Sequence, residues 1–368
     1  MSTSARAAVA REKQGSVRIE NIELDSLRDD EILVRIEACG ICHTDEKFRQ
    51  RLPLPGVFGH EGVGHVEKTG DGVHDLVAGD RVILSYPFCT ECAPCDRNEP
   101  YRCEKIPPLK FGGKRLDGSH TIKLDGEGIT GAFFQQSSFA TYAIARAQAA
   151  VRVTELAKDT PAEVLAAMPC GVQTGAGAIM NTFDGQAGES VAIMGAGAVG
   201  LSAVMAAAVL GMNPIICADL HAGRLELARE LGATHTINVA DGDVAQAIKV
   251  ILPRGVRYAL DSSATVPGLK TSISAIGQGG NVGIVSYPND GEDFPFNTKE
   301  LFLKVASLHG IVQGSSVPRE FLPKLLVLYN EGRFPIERLV TTYDFSEINT
   351  ALHDAHSGEA IKPVLLMD

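Results

Sequence analysis

Basic charge is scarce in this sequence. Its 34 lysines and arginines face 45 aspartates and glutamates, for a formal net charge of −11 at pH 7. Nucleic acid and anionic membrane surfaces are bound through basic faces, so neither is an expected partner. An export signal is missing too: Arg6, Arg11 and Glu12 fall where a signal peptide needs an unbroken apolar stretch. The expectation is a cytoplasmic, reducing location, in which the eight cysteines read as metal ligands rather than disulfides. There is no internal repeat and no low-complexity tract. One uncharged run, Ser190 to Ala218, is long enough to span a bilayer of about 30 Å. Gly195, Gly197, Gly200 and Gly211 break it into strand, turn, Ala-rich helix and second strand. It reads as a buried βαβ unit.

What is present suits an ordinary globular protein of two domains, since 368 residues are long for one core and 45% of them are hydrophobic. Residues 1–150 alternate short apolar runs with Gly and Pro, as in EILVRIEACG (31–40), EGVGHVEKTG (61–70) and DRVILSYPF (80–88). That spacing predicts an antiparallel, barrel-like domain. From about Pro161 the texture changes to strands alternating with Ala- and Leu-rich helices, which implies a parallel sheet wrapped by helices. After Gly310 a helix in FLPKLLVLYNEGRF is followed by short strands that return to the first domain. The fold class expected is α/β. A discontinuous catalytic domain (1–171 and 313–368) carries an inserted, doubly wound Rossmann domain (172–312).

SVAIMGAGAVGLSAVMAAAVLG (190–211) sets Gly195, Gly197 and Gly200 in G-x-G-x-x-G spacing, between an apolar strand and a helix. A second strand ends at Asp219. The glycines permit a tight turn and close approach of backbone N–H groups to a pyrophosphate. Asp219 is placed to accept from the adenosine ribose hydroxyls and to repel a 2′-phosphate, which favours NAD over NADP. Arg224 is the one nearby residue that argues the other way.

Two metal sites are expected. Cys89, Cys92, Cys95 and Cys103 are spaced to close a tetrahedron around zinc with no open position, the mark of a structural site. GICHTD (40–45) offers Cys42, GHEG (59–62) offers His60 and Glu61, and MPCGVQTGAG (168–177) offers Cys170. Three such ligands with an open fourth position make a catalytic zinc. Cys39 and Cys217 sit in apolar strands and read as core.

These motifs together resemble the zinc-containing alcohol dehydrogenases of the medium-chain dehydrogenase/reductase superfamily. The likeness extends from GICHTD through GHEG, the four-cysteine loop, CGVQTGAG and GAGAVG to SGEAIKP. Within that group the sequence is most similar to the aryl-alcohol (benzyl-alcohol) dehydrogenases. FFQQSSFATYA (133–143), CGVQTGAGA (170–178), RLELARELGATHTIN (224–238) and LYNEGRFP (328–335) carry this closer match. The resemblance implies a GroES-like first domain and a homodimer or homotetramer. It implies Cys42, His60 and Cys170 as catalytic zinc ligands, with Glu61 a carboxylate able to approach the metal. Asp45 then orients His60, and Thr44 hydrogen-bonds the alcohol oxygen. His43, Thr174 and Lys362 correspond to cofactor-contacting positions, His43 and Lys362 facing the pyrophosphate, and Arg224 lies beside the adenosine ribose.

The implied reaction is oxidation of a primary aromatic or allylic alcohol to its aldehyde, with reversible hydride transfer to NAD. Short aliphatic alcohols, or a thiol adduct of formaldehyde, are the alternative substrates. A non-catalytic zinc-binding or redox-sensing protein is the alternative of another class, against which the full ligand set stands. One position departs from the liver-type pattern: Lys47 replaces the histidine that delivers the proton to solvent. A lysine is ordinarily protonated at neutral pH and makes a poor base. Tyr86 and Phe88 are equally suited to a substrate pocket and to the core.

Overall fold

A computed structural model describes residues 3–287, 293–294 and 297–367. The chain divides into two units. The first comprises Met1–Cys170, Val317–Asn330 and Ile336–Asp368; the second comprises Gly171–Ser316 and Glu331–Pro335.

The first unit is built on two sheets. One holds five strands in the order Gly56–Val57, Thr3–Ala10, Arg18–Leu24, Ile122–Leu124, Glu127–Ile129. The other runs Ala150–Arg152, Arg81–Leu84, Gly62–Thr69, Glu31–Gly40, Lys362–Leu366, Val340–Asp344, and Tyr142–Arg146 also pairs with Glu31–Gly40. All of these pairings are antiparallel except that between Val340–Asp344 and Lys362–Leu366. Glu31–Gly40 is buried along almost its whole length, because protein covers it on both faces. Its apolar side chains join those of Val9, Val57, Phe58 and Phe133 in one core. The strand therefore fixes where Gly40 and the residues after it emerge.

The second unit holds six parallel strands in the order His235–Asn238, Ile215–Asp219, Val191–Met194, Val256–Asp261, Ile276–Ile284, Ser307–Gly310. Numbered along the chain this is 3-2-1-4-5-6, the doubly wound order whose switch point lies beside the first strand. Strand Val191–Met194 is wholly buried, and helix Ala198–Val209 follows it. The uncharged run is thus a βαβ unit. Among the described residues, no helix is long and apolar enough to cross a membrane.

The segment after Phe345 differs from expectation. Between its strands lies a helix, Ile348–Ser357, burying Ile348, Ala351 and Ala355. Asn349, Thr350, His353 and Asp354 are weak helix formers, so packing of the apolar stripe decides the outcome.

Candidate metal centre and dinucleotide site

Cys42 caps the short helix His43–Arg49. Its sulfur accepts from Thr44 N at 3.5 Å, and Asp45 Oδ2 accepts from Cys42 N at 3.0 Å, a reciprocal pair that closes the turn. The second Asp45 oxygen accepts from Gly59 N at 3.1 Å and lies 2.8 Å from His60 Nδ1. One buried carboxylate therefore joins both ligand-bearing loops. It also sets the orientation of the ring, since Nδ1–H donates to Asp45 and Nε2 is left as the ligand nitrogen. His60 Nε2 is buried and has no hydrogen-bond partner.

Cys170 arrives on a wide π turn, Met168–Val172, after helix Ala162–Ala167. Pro169 lacks a backbone N–H, which suits an interrupted helical ladder at a functional position. The sulfurs of Cys42 and Cys170 lie 3.9 Å apart. Without a metal, the hydrogen bond from Cys170 holds the Cys42 thiol well below its ordinary value, against the effect of burial. The same bond and burial push Cys170 well up. Burial opposes a charge on His60, but Asp45 raises it to about 10.

Cys42, His60, Glu61 and Cys170 bring their ligand atoms within 4.8 Å of one another. Tetrahedral zinc with Zn–S of about 2.3 Å needs sulfurs about 3.8 Å apart. The observed sulfur pair and the orphaned imidazole nitrogen fit that ion. The four-cysteine loop fits as well. Its sulfurs lie within 4.8 Å of one another, with 3.9 Å from Cys89 to Cys95 and 3.5 Å from Cys92 to Cys95. All eight cysteines are free of disulfides, and Cys39 and Cys217 are fully buried core residues.

Glu61 is fully buried, with Oε1 4.0 Å from His60 Nε2. Burial raises its carboxyl to about 7 in spite of Lys362, with which it forms an ion pair. The Lys362 amine is buried between Glu61 and the carbonyl of Ile41, 3.3 Å away. The two partners are far apart in sequence, and nothing local pairs them. Gly40 is required beside them, because a Cβ there would collide with Glu61 and with the Ala166 carbonyl.

Several supporting residues were not legible as such. Gln136 donates to the carbonyls of His60 and Ser85, both at 3.1 Å, and accepts from Gly62 N at 3.1 Å and Ser138 Oγ at 2.6 Å. Phe134, Gln135 and Ser137 all have φ near +50°, left-handed values that cost non-glycine residues energy and collect at functional sites. That conformation lays the Phe134 ring on His60, with centroids 4.3 Å apart. Tyr86 is fully buried, while Phe88 is partly buried and packs against the four-cysteine cluster. Thr44 Oγ1 lies 3.5 Å from Cys42 Sγ; Lys47 is partly exposed on the same helix, and His43 is exposed.

In the second unit, Gly195 has φ +95° and accepts the turn after its strand. A Cβ at Gly200 would run into the Gly195 carbonyl, whereas one at Gly197 would meet nothing within 4 Å. The loop is tight on one side and open on the other. Helix Ala198–Val209 begins with no side-chain cap, so its first N–H groups are available to an anion. Asp219 is buried; Oδ2 accepts from Ala196 N at 2.7 Å and Oδ1 from His221 N at 2.8 Å. It braces the glycine loop as well as ending the second strand. Thr174 is buried on helix Gln173–Gly177, and Arg224 is half-buried on helix Ala222–Glu230.

Two zinc-ligand sets in the first unit and an open glycine loop on a 3-2-1-4-5-6 sheet define a zinc-binding dehydrogenase. Residues 28–155 match the family described as alcohol dehydrogenase GroES-like domain, and residues 198–330 match zinc-binding dehydrogenase. The chain is 41% identical to geraniol dehydrogenase of Castellaniella defragrans, over 99% of its own length and 98% of that protein's. The structure of an alcohol dehydrogenase zinc-binding domain protein from Burkholderia ambifaria superposes with TM-score 0.97 at 43% identity, each chain fully covered. That of benzyl alcohol dehydrogenase from Acinetobacter calcoaceticus gives 0.95 at 39% identity, again with full coverage of both. The chain belongs to the zinc-containing medium-chain alcohol dehydrogenases.

Proposed function

We propose that the enzyme oxidises primary aryl-type or allylic alcohols to aldehydes with NAD. The observation that carries this reading is the buried Cys42–His60–Cys170 set, with His60 Nε2 unpartnered and Nδ1 held by Asp45. The likeness to a geraniol and a benzyl alcohol dehydrogenase supports the substrate class. The unit Met1–Cys170 with its later segments is the catalytic domain, and the glycine-loop unit binds the cofactor.

Cys42, His60 and Cys170 hold a zinc that supplies Lewis acidity toward the alcohol oxygen, while NAD supplies the hydride acceptor. Asp45 keeps His60 in the tautomer that offers Nε2. Thr44 Oγ1, beside Cys42 Sγ, takes the alcohol proton. Lys47 lies one helical turn further along, where a charged ammonium accepts no proton, so the proton leaves Thr44 to water. The Asp219 carboxylate selects the unphosphorylated ribose, with Arg224 beside it, and Thr174 and His43 contact the cofactor. Cys89, Cys92, Cys95 and Cys103 hold a second, structural zinc.

The enzyme works in the reducing cytoplasm as a homo-oligomer. Among the described residues strand Ser307–Gly310 is the outer strand of its sheet, and nearby Phe302, Leu303 and Val305 are 79%, 59% and 71% exposed. Apolar side chains beside an open edge call for a second copy. The test is NAD reduction with benzyl alcohol, geraniol and ethanol, with zinc counted per chain. Activity with the first two, weak activity with ethanol and two zincs are expected. Equal turnover of ethanol, or full activity with zinc in the four-cysteine loop only, overturns the reading.

A further inference from the structure

Among the described residues two lysines are buried, each only 2% exposed: Lys362 and Lys110. Lys362 has a carboxylate partner in Glu61. Lys110 has none. The charged groups that act on its amine are Cys170 and Cys103, and it lies 4.5 Å from the ring centroid of Tyr86 and 5.5 Å from that of Phe134. Burying an ammonium without a carboxylate beside it is costly, and an apolar residue would fill the position more cheaply. Nor is the side chain loosely placed. The Gln135 amide donates to the carbonyls of Leu109 at 3.2 Å and Lys114 at 2.9 Å, fixing the segment on both sides of Lys110. Phe111 stacks on Phe48 with centroids 4.0 Å apart. Phe134, one of the two rings under the amine, is the ring that lies on His60.

A cation over two aromatic faces is a partly built cage, the arrangement in which a further π face adds attraction. Here the cage stands one ring away from a zinc ligand. We propose that Lys110 is a specificity-determining residue: its ammonium, seated on Tyr86 and Phe134, contacts the π face of the alcohol's aromatic ring or double bond. This rests on the aryl- and allylic-alcohol reading above and supplies a physical reason for it. A saturated ring of the same size has no π face. Burial draws the amine down to about 8, against the pull of Cys170 and Cys103.

The test uses the zinc-loaded enzyme and compares benzyl alcohol with cyclohexylmethanol in kcat/KM and in calorimetric binding. Lys110→Met keeps the length and loses the charge; Lys110→Arg keeps the charge. The benzyl-to-cyclohexylmethyl preference should fall about five- to thirtyfold in Lys110→Met and stay within about threefold of the parent in Lys110→Arg. In the unaltered enzyme pentafluorobenzyl alcohol, whose ring quadrupole is reversed, should bind more weakly than benzyl alcohol, a result that needs no variant to fold. An unchanged preference in Lys110→Met, with benzyl alcohol still oxidised, overturns the role of Lys110 alone. A parent enzyme that turns over only saturated alcohols overturns the substrate class and this role with it. A Lys110→Met variant that loses 4-(hydroxymethyl)benzoate more than benzyl alcohol shows an anion partner and also sinks the proposal.

Discussion

Replacing Asp45 by Asn tests how the metal centre is held. The carboxylate is 2% exposed and serves three groups: His60 Nδ1 at 2.8 Å, Gly59 N at 3.1 Å and Cys42 N at 3.0 Å. All three are donors. An asparagine of equal size has one acceptor oxygen, so its amide nitrogen faces at least one of them donor to donor. An orphaned buried donor costs about 1–3 kcal/mol. Exchanging a charge-assisted bond to His60 for a neutral one adds about 1 kcal/mol. The metal-free fold should therefore lose about 2–4 kcal/mol. Loss of the partner that sets the His60 tautomer should weaken catalytic-site zinc binding about 10- to 100-fold. Competition with a chromophoric chelator, on protein whose four-cysteine loop is already filled, reads the affinity; a thermal melt reads the stability. Affinity within about twofold of the parent would refute the idea that Asp45 prepares His60 for the metal.

Three further outcomes are expected. Cys103→Ser should release the structural zinc and lower the melting temperature, leaving Cys42, His60 and Cys170 able to load; an unchanged melt of a variant with one zinc speaks against the structural role. With Lys47 leaving proton release to water, alcohol oxidation should favour alkaline pH, and Lys47→His should shift the rate–pH profile toward neutral; an unmoved profile contradicts this. Lys110 affects stability in the opposite sense to a salt-bridged lysine, because burial depresses its folded value to about 8 against 10.5 when unfolded. The unfolded chain binds the extra proton, so this group's contribution to stability improves as pH rises from about 8 to 10.5. Lys110→Met should be more stable than the parent at pH 7, by on the order of 3 kcal/mol, with the gap closing by pH 10.5 in denaturant melts.

Features legible in the sequence are those written within a few residues. The glycine loop shows because Gly195, Gly197 and Gly200 interrupt an apolar strand–helix run, and the four-cysteine loop shows because its ligands fall within fifteen positions, Cys89 to Cys103. The roles of Asp45 and Thr44 came through family likeness, since an acid three residues after a cysteine has many ordinary readings. The Glu61–Lys362 pair was hidden because register between distant strands, not local pattern, brings it together. Nothing in IPPLKF singles out Lys110; only the folded position of Phe134 and Tyr86 makes it a buried cation. Tyr86, undecided between pocket and core, turns out to be core with one face turned to that amine.

Strand Lys362–Leu366 pairs with Glu31–Gly40 in the middle of its sheet, and Lys362 reaches the Ile41 carbonyl 321 positions away. A ribosome delivers Glu61 long before it delivers the amine that balances it. The whole glycine-loop unit is synthesised in between, and domains made earlier fold first. The Glu61–Lys362 pair thus cannot close until position 362 has been made, and a shorter nascent chain carries the ligands without the wiring that balances them.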